Sequence, residues 1–118
     1  MFLEKVKSTR GGLSWTKHIT GKMRQYGLSE QRLRRVLRNP DRIEEGIAPD
    51  TLAIMQKTGT KKNPTEIWLM YQNVKQKTEI KKIKMISAWR YPGISPKRDG
   101  APIPSDILLE LKNLINSD

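Results

Sequence analysis

Residues 66–72 read Glu66-Ile67-Trp68-Leu69-Met70-Tyr71-Gln72, the most apolar run in the chain. A short, near-continuous apolar run is the mark of a strand in the middle of a sheet. Breakers precede it: TGTKKNPT, residues 58–65, combines Gly59, Asn63 and Pro64 and reads as a turn. Before that turn, Thr51–Lys57 (TLAIMQK) is a second strand, and Arg42–Glu45 is a shorter candidate. After the central run, NVKQKTE (73–79) is a polar loop. A long strand follows over Ile80–Trp89 (IKKIKMISAW). Alternation places Ile83, Met85, Ser87 and Trp89 on one of its faces, and Ile80, Lys82, Lys84, Ile86, Ala88 and Arg90 on the other.

Helices flank this block. Ser14 is positioned to cap a helix over Trp15–Tyr26, with Trp15, Ile19 and Met23 turned inward. Gly27 suits the left-handed residue that closes such a helix. Ser29 caps a second helix, Glu30–Arg38, whose Leu33, Val36 and Leu37 form one apolar stripe. Asn39-Pro40 stops it, because a residue before proline avoids the helical region. At the far end, Pro104-Ser105-Asp106 opens a last amphipathic helix (104–117) carrying Ile107, Leu108, Leu111, Leu114 and Ile115. The Pro/Gly-rich stretch RYPGISPKRDGAPIP (90–104) before it is the kind of loop that carries function. Residues 1–14, ending in Gly11-Gly12, read as a flexible or edge segment.

These elements predict one α+β domain spanning 1–118. Two N-terminal helices would lie across one face of a three- to four-stranded, mainly antiparallel sheet, with a C-terminal helix added. The other sheet face would stay open to a ligand. The last helix fits three roles: closing the chain's own core, packing on a second copy, or covering a basic cleft as an internal acidic mimic.

Composition limits function more than fold. The 118 residues carry 23 Lys and Arg against 12 Asp and Glu, a net charge of +11. A domain this cationic meets nucleic acid, an anionic membrane or an acidic protein. Residues 1–42 hold eleven basic side chains against three acids, and residues 103–118 hold one against three. The absence of cysteine removes disulfides and thiolate metal sites. With a single histidine as well, a structural zinc site is not expected. No stretch has the length of a membrane span, and the first fifteen residues lack a signal peptide's apolar run. The expectation is a cytoplasmic protein without cofactor or metal, a monomer or homodimer.

His18 is the one imidazole. Lys22 and Tyr26 follow it at helical spacing, so the three share a helix face. Metal-independent RNA cleavage needs a base for the 2′-OH proton, an acid for the leaving oxygen and cations for the transition state. His18 can serve as acid or base near neutral pH. Lys22 can hold phosphate, Arg90 can grip two of its oxygens through a planar fork, and Tyr91 can donate a proton or stack on a base. His18, Lys22, Arg90 and Tyr91 are therefore the candidate catalytic set, provided the first helix packs beside the exit of the last strand. A hydrogen-bonded structural histidine and a solvated lysine fit the same pattern.

The second helix suggests a separate site. With Leu33, Val36 and Leu37 inward, Arg34, Arg35 and Arg38 form an outward cationic ridge, and Glu30 is the only acid on that helix. Arg24, Lys82, Lys84, Lys97 and Arg98 extend the field as candidate nucleic-acid contacts. A solvated helix face is the plainer reading of the same arginines.

The pattern His18-ITG-Lys22-Met23-RQY-Gly27-Leu28-Ser29, then RVLRNPDRIEEG (35–46) and the strand KMISAWR (84–90), resembles the small bacterial and phage domains related to RelE, ParE and BrnT toxins. These belong to the barnase–EndoU–colicin–RelE-like group of metal-independent RNases. The resemblance spans roughly residues 15–92 and leaves out the first segment and the last helix. It implies a toxin-type endoribonuclease acting on RNA, with an acidic antitoxin-like protein as partner. The family usually has Arg where this chain has Tyr26, and often Arg where it has Lys22. Three readings follow: an RNase using His18, a non-catalytic nucleic-acid-binding domain using the Arg ridge, and a basic interaction module for an acidic protein.

Overall fold

The computed structural model describes residues 12–74 and 82–116. Expectations for residues 1–11, for 75–81 and for the side chains of Leu114 and Ile115 lie outside the described residues. The elements run β1 (Leu13–Trp15), α1 (Lys17–Tyr26), α2 (Glu30–Arg38), β2 (Arg42–Glu45), β3 (Thr51–Gly59), β4 (Pro64–Val74), β5 (Lys82–Pro92), a single 3-10 turn (Lys97–Asp99) and α3 (Ser105–Asn116).

The α+β class holds, but the sheet differs from the expected one. It has five strands in the order β1-β5-β4-β3-β2, and β1 pairs parallel to β5. The first helix is correspondingly shorter. Its N-cap is Thr16, whose side chain accepts from the Ile19 amide, because Ser14 and Trp15 are spent on the edge strand. Thr16 also ties the junction to β5, through its amide to the Met85 carbonyl and its hydroxyl to the Ile86 carbonyl at 2.8 Å. Helix α1 then continues along β5 where β1 has ended. Gly27 closes it at φ 66, and α2 is capped by Ser29 as its sequence requires.

Both sheet faces are covered, which corrects the expectation of one open face. On one face Ile54, Ile67, Leu69, Tyr71, Met85 and Ala88 pack against Ile19, Leu28, Leu33, Val36 and Leu37 of the α1–α2 region. On the other, Ala53, Met55, Trp68, Met70, Ile86 and Trp89 pack beneath Ile107 and Leu111 of α3. Trp68 and Trp89, both fully buried, lie parallel with ring centroids 6.0 Å apart.

A β-bulge decides which residues of β5 face which layer. Met70 pairs with Ser87 and Tyr71 with Met85, so Ile86 is the extra residue. Strict alternation puts Ile83, Met85, Ser87 and Trp89 together. The bulge instead leaves Ile83 and Met85 toward the α1–α2 layer, and turns Trp89 toward α3 with Ile86.

The loop before α3 is more tightly held than its composition suggests. Glu66 is buried and accepts from Trp68 Nε1 at 2.9 Å, from the Ser95 amide at 3.1 Å and from Ser95 Oγ at 2.7 Å. Arg42 lies over the Trp68 ring, 5.2 Å from its centroid. It donates to Glu44, to Ser95 Oγ and to the carbonyls of Ser95, Pro96 and Gly100. A buried carboxylate and a buried guanidinium, each fully hydrogen-bonded, thus pin a Pro/Gly-rich loop onto the tryptophan layer. No helix among the described residues is long and apolar enough to cross a membrane.

Candidate functional site: a sealed histidine and an open arginine cluster

The row His18–Lys22 is real as a helix face, but it points at protein rather than solvent. His18 Nε2 lies 2.7 Å from Ser87 Oγ, and its Nδ1 lies 3.9 Å from Glu110. Only 8% of the His18 side chain is accessible. Lys22 Nζ sits 3.2 Å from each of Asp106, Glu110 and Gln25. The two carboxylates come from α3, so this last helix covers the face expected to meet RNA.

Electrostatics follow from that cover. Burial is the main influence on His18 and lowers its pKa; Glu110 and Asp106 oppose this and Lys22 reinforces it. Burial thus favours the neutral imidazole. For Lys22, burial pulls the pKa down, but hydrogen bonds to Glu110 and Asp106 outweigh it and the net shift is upward. Asp106 is lowered by its hydrogen bond to Lys22. Ser87, His18 and Glu110 have the connectivity of a nucleophile, a base and an orienting acid. Ser87 is fully buried, however, and the 3.9 Å step to Glu110 is beyond hydrogen-bond length.

Arg90 is not part of this cluster. Its Nε donates to the Tyr26 carbonyl at 2.8 Å, at the far end of α1 from His18. Tyr26 packs half-buried against both core clusters, and Tyr91 lies half-buried against the α3-side cluster. The expected quartet is thus split. His18 meets Ser87 and Lys22 meets the carboxylates of α3, Arg90 caps the end of α1, and Tyr91 packs.

The arginine ridge is also divided. Helical spacing sets Arg32 and Arg34 on opposite flanks of the Leu33 stripe. Arg34 lies over Trp15, 5.7 Å from the ring centroid, and 3.8 Å from Glu30. On the other flank Arg32 donates to Gln56 on β3. Burial lowers the pKa of Arg32, and repulsion from Arg35 and Arg90 lowers it further. Arg32 therefore lies within electrostatic range of both Arg35 and Arg90. None of the three has a carboxylate partner among the described residues. The sheet register agrees: Gln56 pairs with Ile67 and Ile67 with Arg90, so two strand spacings, roughly 10 Å, separate the Gln56 and Arg90 backbones. Thr58 and Thr65, the next pair along the same face, add hydroxyls. Arg32 was absent from the sequence-based set; its signal was the 100° helical step, which places it beside Arg35 rather than inside the ridge.

The other basic candidates are dispersed. Arg24 and Arg38 are exposed on their helices. Lys82 and Lys84 lie at the opposite end of β5 from Arg90, roughly 20–26 Å away along an extended strand. Lys97 and Arg98 are exposed on the 3-10 turn, whose loop crosses the tryptophan face. Among the described residues, no three His, Cys, Asp or Glu side chains gather where they could hold a metal ion.

No family model, curated protein or solved structure matches this chain.

Proposed function

We propose that this chain binds RNA through the corner formed by Arg32, Arg35 and Arg90, on a RelE-like α+β frame. The observation that carries the reading is that Arg32 lies within electrostatic range of both Arg35 and Arg90, and none of the three has a carboxylate partner among the described residues. Maintaining mutually repelling cations at one place is unfavourable without an anion to receive them. Planar guanidinium forks match phosphate oxygens better than lysine does. The Gln56–Thr58–Thr65 surface beside them supplies neutral hydrogen-bonding groups that suit sugar hydroxyls and base edges. The test is binding of a short single-stranded oligoribonucleotide, read by fluorescence anisotropy, to wild type and to Arg32→Gln/Arg90→Gln. The double variant is expected to lose most of the affinity. Absence of wild-type RNA binding at physiological salt would redirect the corner to an acidic, antitoxin-like protein.

A second reading, a metal-independent endoribonuclease of toxin type, is favoured by one arrangement: His18 and Lys22 share one buried face of α1, and burial lowers the His18 pKa. A neutral imidazole is competent as a general base toward the 2′-OH. In this reading Lys22 is the phosphate cation, and Arg90 and Tyr91 take no part. Cleavage of a mixed RNA in EDTA by wild type, with 2′,3′-cyclic phosphate ends and no cleavage by His18→Ala, is its test.

A further inference from the structure

We propose that Lys22, His18 and Ser87 form a second anion site, built for a phosphate group, which α3 fills in cis with Asp106 and Glu110. The site lies apart from the Arg32–Arg90 corner and does not depend on it.

The first argument is an asymmetry of burial. The Lys22 side chain is 11% accessible, whereas those of Asp106 and Glu110 are 57% and 51% accessible. The cation belongs to the body of the domain, and the anions are laid over it from outside. Two carboxylates converge on this single amine, one oxygen from each at 3.2 Å, and together carry the charge of a phosphate dianion.

The second argument is the floor beneath α3. Ser87 Oγ and His18 Nε2 are in hydrogen-bond contact there. Beneath α3, then, lie an ammonium, a hydroxyl and an imidazole, all groups able to donate to an anion.

The third argument is how α3 is attached. It follows a stretch bearing Pro102 and Pro104, and Ile107 and Leu111 are its fully buried anchors among the described side chains. Residues 103–118 also carry net negative charge, one lysine against three acids. A tethered acidic helix competes with a diffusing anion at high effective concentration, so the site is occupied by default.

The full chain is compared as wild type and as Asp106→Asn/Glu110→Gln. This change removes both charges and keeps Ile107 and Leu111. The readout is NMR of the His18 ring and the Ser87 amide during titration with inorganic phosphate, then with a short oligoribonucleotide. Circular dichroism confirms the fold of each variant. The double variant is expected to respond at phosphate concentrations lower by about tenfold or more, because the in-cis competitor is gone. Adding Lys22→Met should abolish that gain. Response to phosphate alone identifies a free-phosphate site, whereas response only to the oligonucleotide identifies a backbone phosphate. Equal responses in wild type and double variant, no response in the double variant, or a response that survives Lys22→Met would each overturn the proposal. RNA affinity lost through Arg32→Gln/Arg90→Gln reports on the other corner, so the two readings fail separately.

Discussion

Replacing Arg32 and Arg90 together by glutamine tests the phosphate-binding corner by charge alone. At position 90 glutamine keeps an N–H close to the place of the Arg90 Nε that donates to the Tyr26 carbonyl. Arg32, Arg35 and Arg90 can engage up to three phosphates, and each contributes about −0.7 to the slope of log K against log salt for a single strand. The corner therefore supplies a slope near −2, or roughly a 20-fold loss of affinity between about 50 and about 200 mM salt. Removing two of the three should flatten the measured slope by about 1.4, whatever the remaining lysines add. The assay is anisotropy of a labelled oligoribonucleotide across a salt series, with urea denaturation of the variant to show that the fold is kept. Arg24→Gln/Arg38→Gln, which removes the same charge from exposed helix positions, is the control. An equal change in slope from both double variants would refute the reasoning, because net charge rather than a corner would then be responsible.

Three further outcomes test the architecture that holds the sites. Glu66→Ala leaves Trp68 Nε1, the Ser95 amide and Ser95 Oγ without their acceptor, and should cost about 3 kcal/mol or more by urea denaturation; Glu66→Gln, which keeps an oxygen, should cost less. Folding holds the His18 pKa below its ordinary 6.5, so the unfolded chain takes up the proton first as pH falls. Stability is therefore complete above that value and declines as pH drops from about 6.5 toward the folded pKa. His18→Gln should remove this part of the pH dependence, and an unchanged profile would show that burial does not keep the ring neutral. Gly46→Ala sets a Cβ 2.6 Å from Thr51 Cβ and 2.9 Å from the Thr51 carbonyl carbon. It should lower the thermal midpoint, in line with an overpacking cost of about 1–3 kcal/mol.

The site was legible in part. The helical spacing of His18 and Lys22 correctly put both on one face of α1, since four residues make about one turn. What that face would meet was not legible, because Asp106 and Glu110 lie more than 80 residues further along the chain. Arg42 and Glu66 gave no sequence signal either. An arginine at a strand start and a glutamate before an apolar run both read as solvent-facing, and only the folded loop at Ser95 makes them a buried network.

The local elements were determined by the sequence itself. Ser29, the Leu33–Val36–Leu37 stripe and Asn39-Pro40 bound α2 at both ends, and the apolar run around Trp68 becomes the middle strand of the sheet. Caps, turns and periodicity act within a few residues, so the chain carries their full signal. The tertiary structure alone decided the parallel pairing of β1 with β5, the Ile86 bulge that moved Ser87 and Trp89 to the α3 side, and the closure of α3 over Lys22. Each of these joins segments distant in sequence, and each is selected by burial and pairing in the assembled sheet rather than by local preference.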